Sequence, residues 1–571
     1  AVSVALGDLL DFHRREEKPV WWRMFDRAEA TLEQLREDAG CIEGLVAEGT
    51  SRDVKRSVAQ SYSFDATQEV KLGSDRFSQV MFTENIDARF TIEQLDIVNG
   101  HIDLKISSAK LAEHYDGRFP RRGSVLPDEY VSSKAIQEAL TAIASNRKRL
   151  PKPVAALLKR VPPKTLLHQA TESVLETAIR VTGSMSGECL VIQGPPGTGK
   201  TYTASRVIMA LLAAGKRVGV ASNSHKAVIN LLEACGEAAL EKKRRLSGIK
   251  VGGNSEEALF EKHPGMLYAQ DSGEAYPIYS EGVIGGTAWL FTRPEWKDEL
   301  DFLFIDESGQ VSLANAIAMA RCAKNLVLLG DQMQLEQPVQ GSHPGDAGLS
   351  VLQYGIKDMV ASRPDAPVFH AVIPPRAGLF LAESRRMHPS VCRFISESIY
   401  EGRLTSHPDC ALQSIGVPVS GAKLIKQEHG IVFLGKEHEG NIQQSDEEIA
   451  VIKKVYRELL GRTYSSRDGV RKLSLDDFLF VAPYNAQVRA LEAALPQGAR
   501  VGSVDKFQGQ EAPVCILSLC SSYGEYGARG LDFILDRNRL NVAISRAQCM
   551  AVVVADPRIA STPAVSLRQM A

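Results

Sequence analysis

The sequence predicts an α/β fold: two covered parallel sheets in tandem, preceded by helical segments that carry a small antiparallel sheet or barrel. Three observations lead there. At roughly 100–200 residues per domain, a chain of 571 residues needs several cores. From residue 190 onward, short continuous apolar runs alternate with helical segments, the pattern of strands buried on both faces. Between residues 61 and 107 the spacing changes from helical to short runs of Val, Phe, Ile and Thr broken by Gly, Asn and Asp.

Taken in order, residues 1–60 set Leu9, Leu10, Phe12, Trp21, Trp22, Phe25, Leu32 and Leu35 at helical spacing among charged residues, which predicts one or two long amphipathic helices. Residues 61–111 carry the small barrel, with strand-like runs at 69–72, 80–83, 89–92 and 102–106. A helix returns near 133–145, and a basic, Pro-punctuated linker starting at Arg147-Lys148-Arg149 closes the 112–164 region. The first parallel sheet takes 165–370, with strands expected at 190–193, 217–222, 302–305 and 326–329. A charged stretch near 236–281 is read as an insertion in it, its Lys242-Lys243-Arg244-Arg245 run being a solvated helix face. The second sheet takes 371–571, with strands at 431–434, 478–482, 515–519 and 550–555.

Composition excludes several classes. Hydrophobic residues at 44% and charged residues at 24% belong to a folded chain rather than a disordered one. Lys and Arg number 67 against 69 Asp and Glu, so no global positive field draws in a polyanion and any such site must be local. No apolar run is long enough to span a membrane, and residues 1–10 lack the features of a secretory signal. A start on Ala1 fits a fragment of something longer. The nine cysteines are scattered without a C-x-x-C pair, which predicts buried, reduced thiols in a cytoplasmic protein rather than a zinc or iron–sulfur site.

Chemistry concentrates in motifs. Gly194-Pro195-Pro196-Gly197-Thr198-Gly199-Lys200-Thr201 follows an apolar strand and opens a helix. Its glycines let backbone N–H groups close around phosphate oxygens, Lys200 reaches the β- and γ-phosphates, and the Thr201 hydroxyl serves Mg²⁺. A second apolar strand delivers Asp306 and Glu307 at its carboxyl end, Asp306 as a Mg²⁺ holder and Glu307 to orient and deprotonate the attacking water. After the next strand, Gly330-Asp331-Gln332-Met333-Gln334 places the Gln334 amide to sense the γ-phosphate. The second half then carries, in order, Glu383-Ser384-Arg385-Arg386-Met387-His388-Pro389, Pro483-Tyr484-Asn485-Ala486-Gln487, Val504-Asp505-Lys506-Phe507-Gln508-Gly509-Gln510-Glu511 and Arg539-Leu540-Asn541-Val542-Ala543-Ile544-Ser545-Arg546-Ala547.

This ordered set resembles the superfamily 1 helicases, specifically the up-frameshift-like branch that includes the helicase halves of bacterial nuclease-helicase proteins. Over residues 165–571 the resemblance implies two RecA-like domains, ATP in the cleft between them, single-stranded nucleic acid across the top of both, and 5′→3′ movement. It implies that the segment ahead of the phosphate loop is a helical stalk bearing a small β-barrel. It assigns Arg386 and Arg546 as arginine fingers to the γ-phosphate and Glu511 to the ribose. Relatives stack an aromatic residue on adenine where this chain has Arg385, whose guanidinium can stack in its place. Gln169 is the candidate for the adenine-reading glutamine.

For the nucleic-acid path the resemblance points to Ser222 and Asn223, to Thr287, to Pro483 and Tyr484, and to Ser503, where loop hydroxyls and an aromatic face suit a strand without reading its sequence. Trp289 and Phe291 fit this path or the core equally. Glu69-Val70-Lys71 spells part of a nuclease signature, but its supporting acidic and Gln-Tyr elements are missing, so no nuclease site is expected in this chain and such a domain would lie upstream. The leading expectation is an ATP-driven translocase, with DNA favoured over RNA through repair-type relatives. The alternative is a nucleotide-switched clamp that holds a strand and hydrolyses slowly.

Overall fold

The computed structural model describes residues 2–68, 70–72, 78–166, 171–357, 370–418, 423–524 and 533–561. It divides into two compact units, a smaller one of Asp11–Lys134 with Val339–His343 and a larger one holding the rest.

In the smaller unit, the helix Phe12–Glu29 is followed by the helix Leu32–Glu37, which a reciprocal Thr31–Gln34 capping box starts. The chain then builds β1 (Ile42–Val54), β2 (Ser57–Ser63), β3 (Gln79–Phe82), β4 (Asn85–Asp96), β5 (His101–Ser107) and β6 (Arg122–Pro127). They close into a barrel in the order β1-β2-β5-β4-β3-β6, which leaves no open edge. Tyr62, Phe82, Phe90, Leu104 and Val125 fill the interior, fully buried, with the Phe82 and Phe90 rings edge to face at 5.2 Å. Met24 and Leu35 of the two helices pack with Met81 and Leu126 of the barrel. Arg27 pins the longer helix through Asp38 at 2.7 Å and Glu129 at 2.9 Å.

The barrel is larger than the 61–111 read from the sequence, and helical structure stops at Glu37 rather than continuing to residue 60. The reason is burial: within β1 only Ile42 and Leu45 are fully buried, so the apolar alternation that marks a strand is absent. Residues 70–72 carry no strand, and Glu69 lies outside the described residues.

The larger unit holds both parallel sheets. The first contains β7 (Cys189–Gln193), β8 (Val218–Ala221), β9 (Gly248–Val251), β10 (Met266–Ala269), β11 (Val283–Gly286), β12 (Leu300–Ile305), β13 (Ala323–Gly330) and β14 (Leu379–Phe380), in the order β10-β9-β11-β8-β12-β13-β7-β14. Three expectations change here. The stretch near 236–281 is not an insertion: β9 and β10 extend the sheet itself, and they escaped notice because β9 buries the charged Lys250 and edge strand β10 exposes Leu267. Its basic run is not a helix face, because the helix His225–Glu241 ends before Lys242 and the four residues form an exposed segment after it. Nor does the first sheet end at 370. β14 pairs with β7, and Gly378 permits this approach, since a Cβ there would meet the Val191 carbonyl oxygen at 2.4 Å.

Beyond it come β15 (Glu383–Ser384), β16 (Thr405–Ser406), β17 (Ser414–Ile415), β18 (Gly430–Gly435), β19 (Thr463–Ser466), β20 (Gly469–Lys472), β21 (Phe478–Val481), β22 (Arg500–Gly502), β23 (Ala512–Ser518) and β24 (Ala547–Ala555). The second parallel sheet runs β18-β24-β23-β21-β22, and β17-β19-β20 form a small antiparallel sheet beside it. All nine cysteines are buried and free. Among the described residues, no helix is long and apolar enough to cross a membrane.

Emptying the barrel should be costly in proportion to the ring removed. Phe90→Ala is expected to destabilise the smaller unit by about 3–5 kcal/mol, as large-to-small core changes of this kind do, read as a lower transition midpoint in urea followed by a probe within the barrel.

Candidate active site

The strand β7 passes directly into the helix Lys200–Ala213 through a turn that needs glycine. Gly197 and Gly199 have φ of 74° and 76°, the left-handed region that a side chain strains. A Cβ on Gly197 would lie 2.5 Å from the Cβ of Arg386, and one on Gly194 would lie 2.1 Å from Cγ of Lys200. The Gly194 N–H donates to the Gly330 carbonyl at 2.9 Å, tying the turn to the end of β13. Thr198 closes it on the Pro195 carbonyl, Oγ1 donating at 2.8 Å, while Pro195 and Pro196 are buried. Thr201 stands exposed in the first helical turn.

Lys200 is mostly buried, with Nζ 3.5 Å from the Glu307 carboxylate. Burial alone would depress its ammonium, but the charges of Glu307, Asp331 and Asp306 outweigh this and raise it above the ordinary lysine range. Burial, together with the adjacent Glu307 charge, pushes Asp306 up to about 7 against the pull of Lys200. Glu307 is held at φ 49°, a strained position for a non-glycine residue at the end of β12. Asp331, raised by burial, accepts from Gln334 Nε2 at 2.8 Å, from the Tyr400 hydroxyl at 2.6 Å and from Gln193 Nε2 at 3.3 Å.

Residues 384–386 lie directly on this loop. The Arg385 N–H donates to the Gly197 carbonyl at 2.8 Å and the Ser384 hydroxyl to the Pro196 carbonyl at 3.1 Å. The exposed Arg385 guanidinium meets Glu383 at 3.3 Å. Arg386 pairs with Glu511 and donates to the Ser545 carbonyl at 3.3 Å. Glu511, which also accepts from Gln548 at 2.8 Å, is thus the counter-ion of Arg386, and that pairing outweighs burial to hold its carboxyl below the usual range. Arg546 is 2% exposed and donates to the carbonyls of Val542 at 2.9 Å and Gln510 at 3.2 Å. Burial, joined by the Arg386 charge, pulls its guanidinium down to about 9, a setting that an arriving anion would relieve. A cavity of about 300 Å³ opens beside this group, lined among others by Arg385, Arg386, Tyr464, Arg467, Arg471 and Glu511.

Lys200, Asp306, Glu307, Gln334, Arg386, Glu511 and Arg546 therefore share one neighbourhood. Gln169 lies outside the described residues. The donors near Lys200 that suit a divalent ion are oxygens, the Thr201 hydroxyl and the Asp306 carboxylate, and a carboxyl pushed up by a like neighbour fits Mg²⁺. Sequence reading passed over Gln193 and Tyr400; a glutamine closing an otherwise apolar strand was the one available signal for the first.

The residues expected along a strand sit at carboxyl edges of the two sheets. Ser222 and Thr287 follow β8 and β11, which are neighbours, and Asn223 donates to the Gln310 carbonyl at 2.5 Å. Pro483 and Ser503 follow β21 and β22, paired through Val481 and Gly502. Tyr484 is buried and its ring packs on Phe533 at 5.3 Å, so the face expected for a base is engaged in the core. Phe291 is core, whereas Trp289 is 38% exposed.

Two family models, each described as an AAA domain, match residues 176–347 and 369–558. The chain is 26% identical over 400 residues to the DNA replication ATP-dependent helicase/nuclease dna2 of Schizosaccharomyces pombe, covering 64% of this chain and 26% of that protein. It is 25% identical over 466 residues to the DNA-binding protein SMUBP-2 of Rattus norvegicus, covering 69% and 44%. With the regulator of nonsense transcripts 1 homolog of Arabidopsis thaliana it shares 25% over 411 residues, covering 65% and 31%. The chain thus spans less than half the length of each of these curated relatives.

The Asp306 shift gives a pH signature. A carboxyl raised in the folded chain costs stability above its unfolded value and stops adding cost above about 7. Asp306→Asn should raise the melting temperature of the nucleotide-free protein at pH 8 by at least about 2–4 °C, the shift expected from 1 kcal/mol in a domain of this size. The gain should shrink to nothing toward pH 4, as calorimetry across that range would show.

Proposed function

We propose that this chain, which resembles the superfamily 1 helicases of the up-frameshift-like branch across both parallel sheets, is an ATP-driven translocase on single-stranded nucleic acid. The observation that carries the reading is a buried lysine set among three carboxylates, faced by Arg386 and Arg546 from the second sheet. That is the charge distribution phosphoryl transfer needs.

Lys200 exchanges its carboxylate neighbours for the β- and γ-phosphates, which the backbone N–H groups of 197–201 cradle. Thr201 and Asp306 hold Mg²⁺, which neutralises phosphate charge when bound. Glu307, released from Lys200, orients the attacking water and accepts its proton. Gln334 senses the γ-phosphate. Arg386 and Arg546 bring positive charge to the transferring group as the cleft closes, Arg386 leaving Glu511 to do so. Gln169 and Arg385 serve the adenine side and Glu511 the ribose.

Closing and opening alternate the grip of the two sheets on a strand laid over Ser222, Asn223, Thr287, Pro483 and Ser503, with Tyr484 held in the core beneath. Resemblance to a DNA replication helicase/nuclease and to a DNA-binding protein favours DNA over RNA, and the motif resemblance favours 5′→3′ travel. The helicase/nuclease name of a relative far longer than this chain supports a nuclease domain or partner upstream of it.

The test is steady-state ATP hydrolysis without nucleic acid, with single-stranded DNA and with single-stranded RNA. DNA should stimulate the rate at least about tenfold, equal to ~1.4 kcal/mol of barrier. Lys200→Ala should abolish it, and Glu307→Gln should lower kcat by about 10²–10⁴ while ATP still binds. A low rate unmoved by either polymer would overturn the translocase in favour of the nucleotide-switched clamp.

A further inference from the structure

We propose that Tyr400 is a positioning residue that couples the nucleotide-sensing amide of Gln334 to the second sheet through Asp331 and Asn541. The inference rests on the reading of the chain as a nucleic-acid-stimulated ATPase and adds a residue that its motifs do not supply.

Tyr400 ends the helix Pro389–Ile399 and is fully buried. Its hydroxyl donates to Oδ2 of Asp331 at 2.6 Å and accepts from Nδ2 of Asn541 at 2.8 Å. The Gln334 amide donates to the same Asp331 oxygen at 2.8 Å. Two donors on one buried carboxylate oxygen are not independent: as one hydrogen bond strengthens, the other gives way. The strength of the Tyr400 contact therefore sets how firmly the sensor amide is held back from the phosphates.

The far end of the relay is equally specific. Asn541 lies on the helix Arg537–Ile544, and the same Nδ2 donates to the Met333 carbonyl at 2.7 Å, while Asn538 donates to the Gln332 carbonyl at 3.1 Å. That helix grips both residues between Asp331 and Gln334, and Arg546 follows two residues after it ends. Asn541 is 1% exposed, yet among the described residues its Oδ1 has no hydrogen-bond partner. Turning that amide over would bring Oδ1 to the tyrosine hydroxyl in place of Nδ2 and release the Met333 carbonyl, which gives the network two arrangements: Tyr400 donating to Asp331 with Met333 held, or Tyr400 donating to Asn541 with Met333 freed.

Lys200 supplies the bias between them. Its charge acts on Asp331 in the present arrangement. When the γ-phosphate draws the ammonium away, Asp331 is left to its hydrogen-bond donors, Gln193 and the Met333 N–H on Oδ1 and Gln334 and Tyr400 on Oδ2, and the balance between the last two is reset. The loop 331–334 and the helix that leads to Arg546 then move as one, so nucleotide occupancy reaches the second sheet through this network.

The test uses the full chain with Tyr400→Phe, which keeps the ring in its core and removes only the hydroxyl, and with Asn541→Ala as an independent cut at the other end. Affinity for a labelled single-stranded oligonucleotide is measured with and without Mg²⁺ and a non-hydrolysable ATP analogue, beside affinity for the analogue alone and the kcat and KM of hydrolysis. In wild type the analogue should change oligonucleotide affinity by about 5–150-fold, the usual span of coupling between sites. Both variants should bring that factor to within about twofold of unity and lower DNA-stimulated kcat about tenfold, with KM for ATP and the separate affinities within about threefold of wild type. A lower melting temperature with wild-type coupling in both variants would make the tyrosine a packing residue and overturn the relay alone. A wild type whose hydrolysis and affinities ignore the second ligand would overturn the motor reading and the relay with it. If Tyr400→Phe fails to fold, Asn541→Ala decides the same question.

Discussion

The charge balance around Lys200 sets the terms for the rest of the site. Lys200 follows β7, Asp306 and Glu307 follow β12, and Asp331 follows β13; these strands lie side by side as β12-β13-β7, so their carboxyl ends deliver one cation and three carboxylates to one edge. The excess negative charge is unfavourable in a buried place, and Asp306 records it by holding its proton to about pH 7. Such a site is stabilised by whatever adds a divalent cation and gives Lys200 a different anion. The proposed ligand, a nucleotide polyphosphate with Mg²⁺, would supply both at once and so relieve that strain.

The second sheet answers with the opposite sign. Arg386 and Arg546 are desolvated, one neutralised by Glu511 and the other resting on backbone carbonyls. Apolar packing holds them near the loop, because Leu335 and Val372, which precede β14, belong to the same core as Met387, Val391, Val542 and Ile544. The segment that carries Gln334 is thereby embedded in the apolar packing of the neighbouring domain. Any change of cleft width must be accommodated in that core and in the polar contacts of Tyr400 and Asn541 within it.

The clustering of the short motifs was the part legible in the sequence. The phosphate loop, the Asp306-Glu307 pair and the two arginine motifs are short, contiguous and chemically narrow, and the strands before them are continuous apolar runs. What stayed hidden depends on tertiary pairing. β1 buries too few residues to alternate, β9 hides a lysine in the interior, and β14 consists of two residues whose membership in the first sheet is visible only through their pairing with β7. Tyr400 was invisible for a related reason: an isolated tyrosine after a helix acquires meaning only from Asp331, 69 positions away, and Asn541, 141 away. Tyr484 shows the converse, a motif aromatic whose position reads as a stacking face although the fold packs it against Phe533.

A net charge of −2 also constrains how a strand would be held. Strong permanent binding to nucleic acid comes from neutralising many phosphates with lysine and arginine, and it falls steeply with salt. The sheet edges here offer instead Ser222, Asn223, Thr287 and Ser503, groups that form a few directional hydrogen bonds and little net charge attraction. Contacts of that kind are weak singly and sensitive to sub-ångström placement, so small displacements between the two sheets suffice to make or break them. The proposed translocase would need that property more than it needs affinity, since each grip must be released before the next can form. Two groups of basic residues lie away from these edges: Lys242 to Arg245 follow a helix end, and Arg386 and Arg546 sit by the phosphate loop, one paired with Glu511 and the other resting on backbone carbonyls.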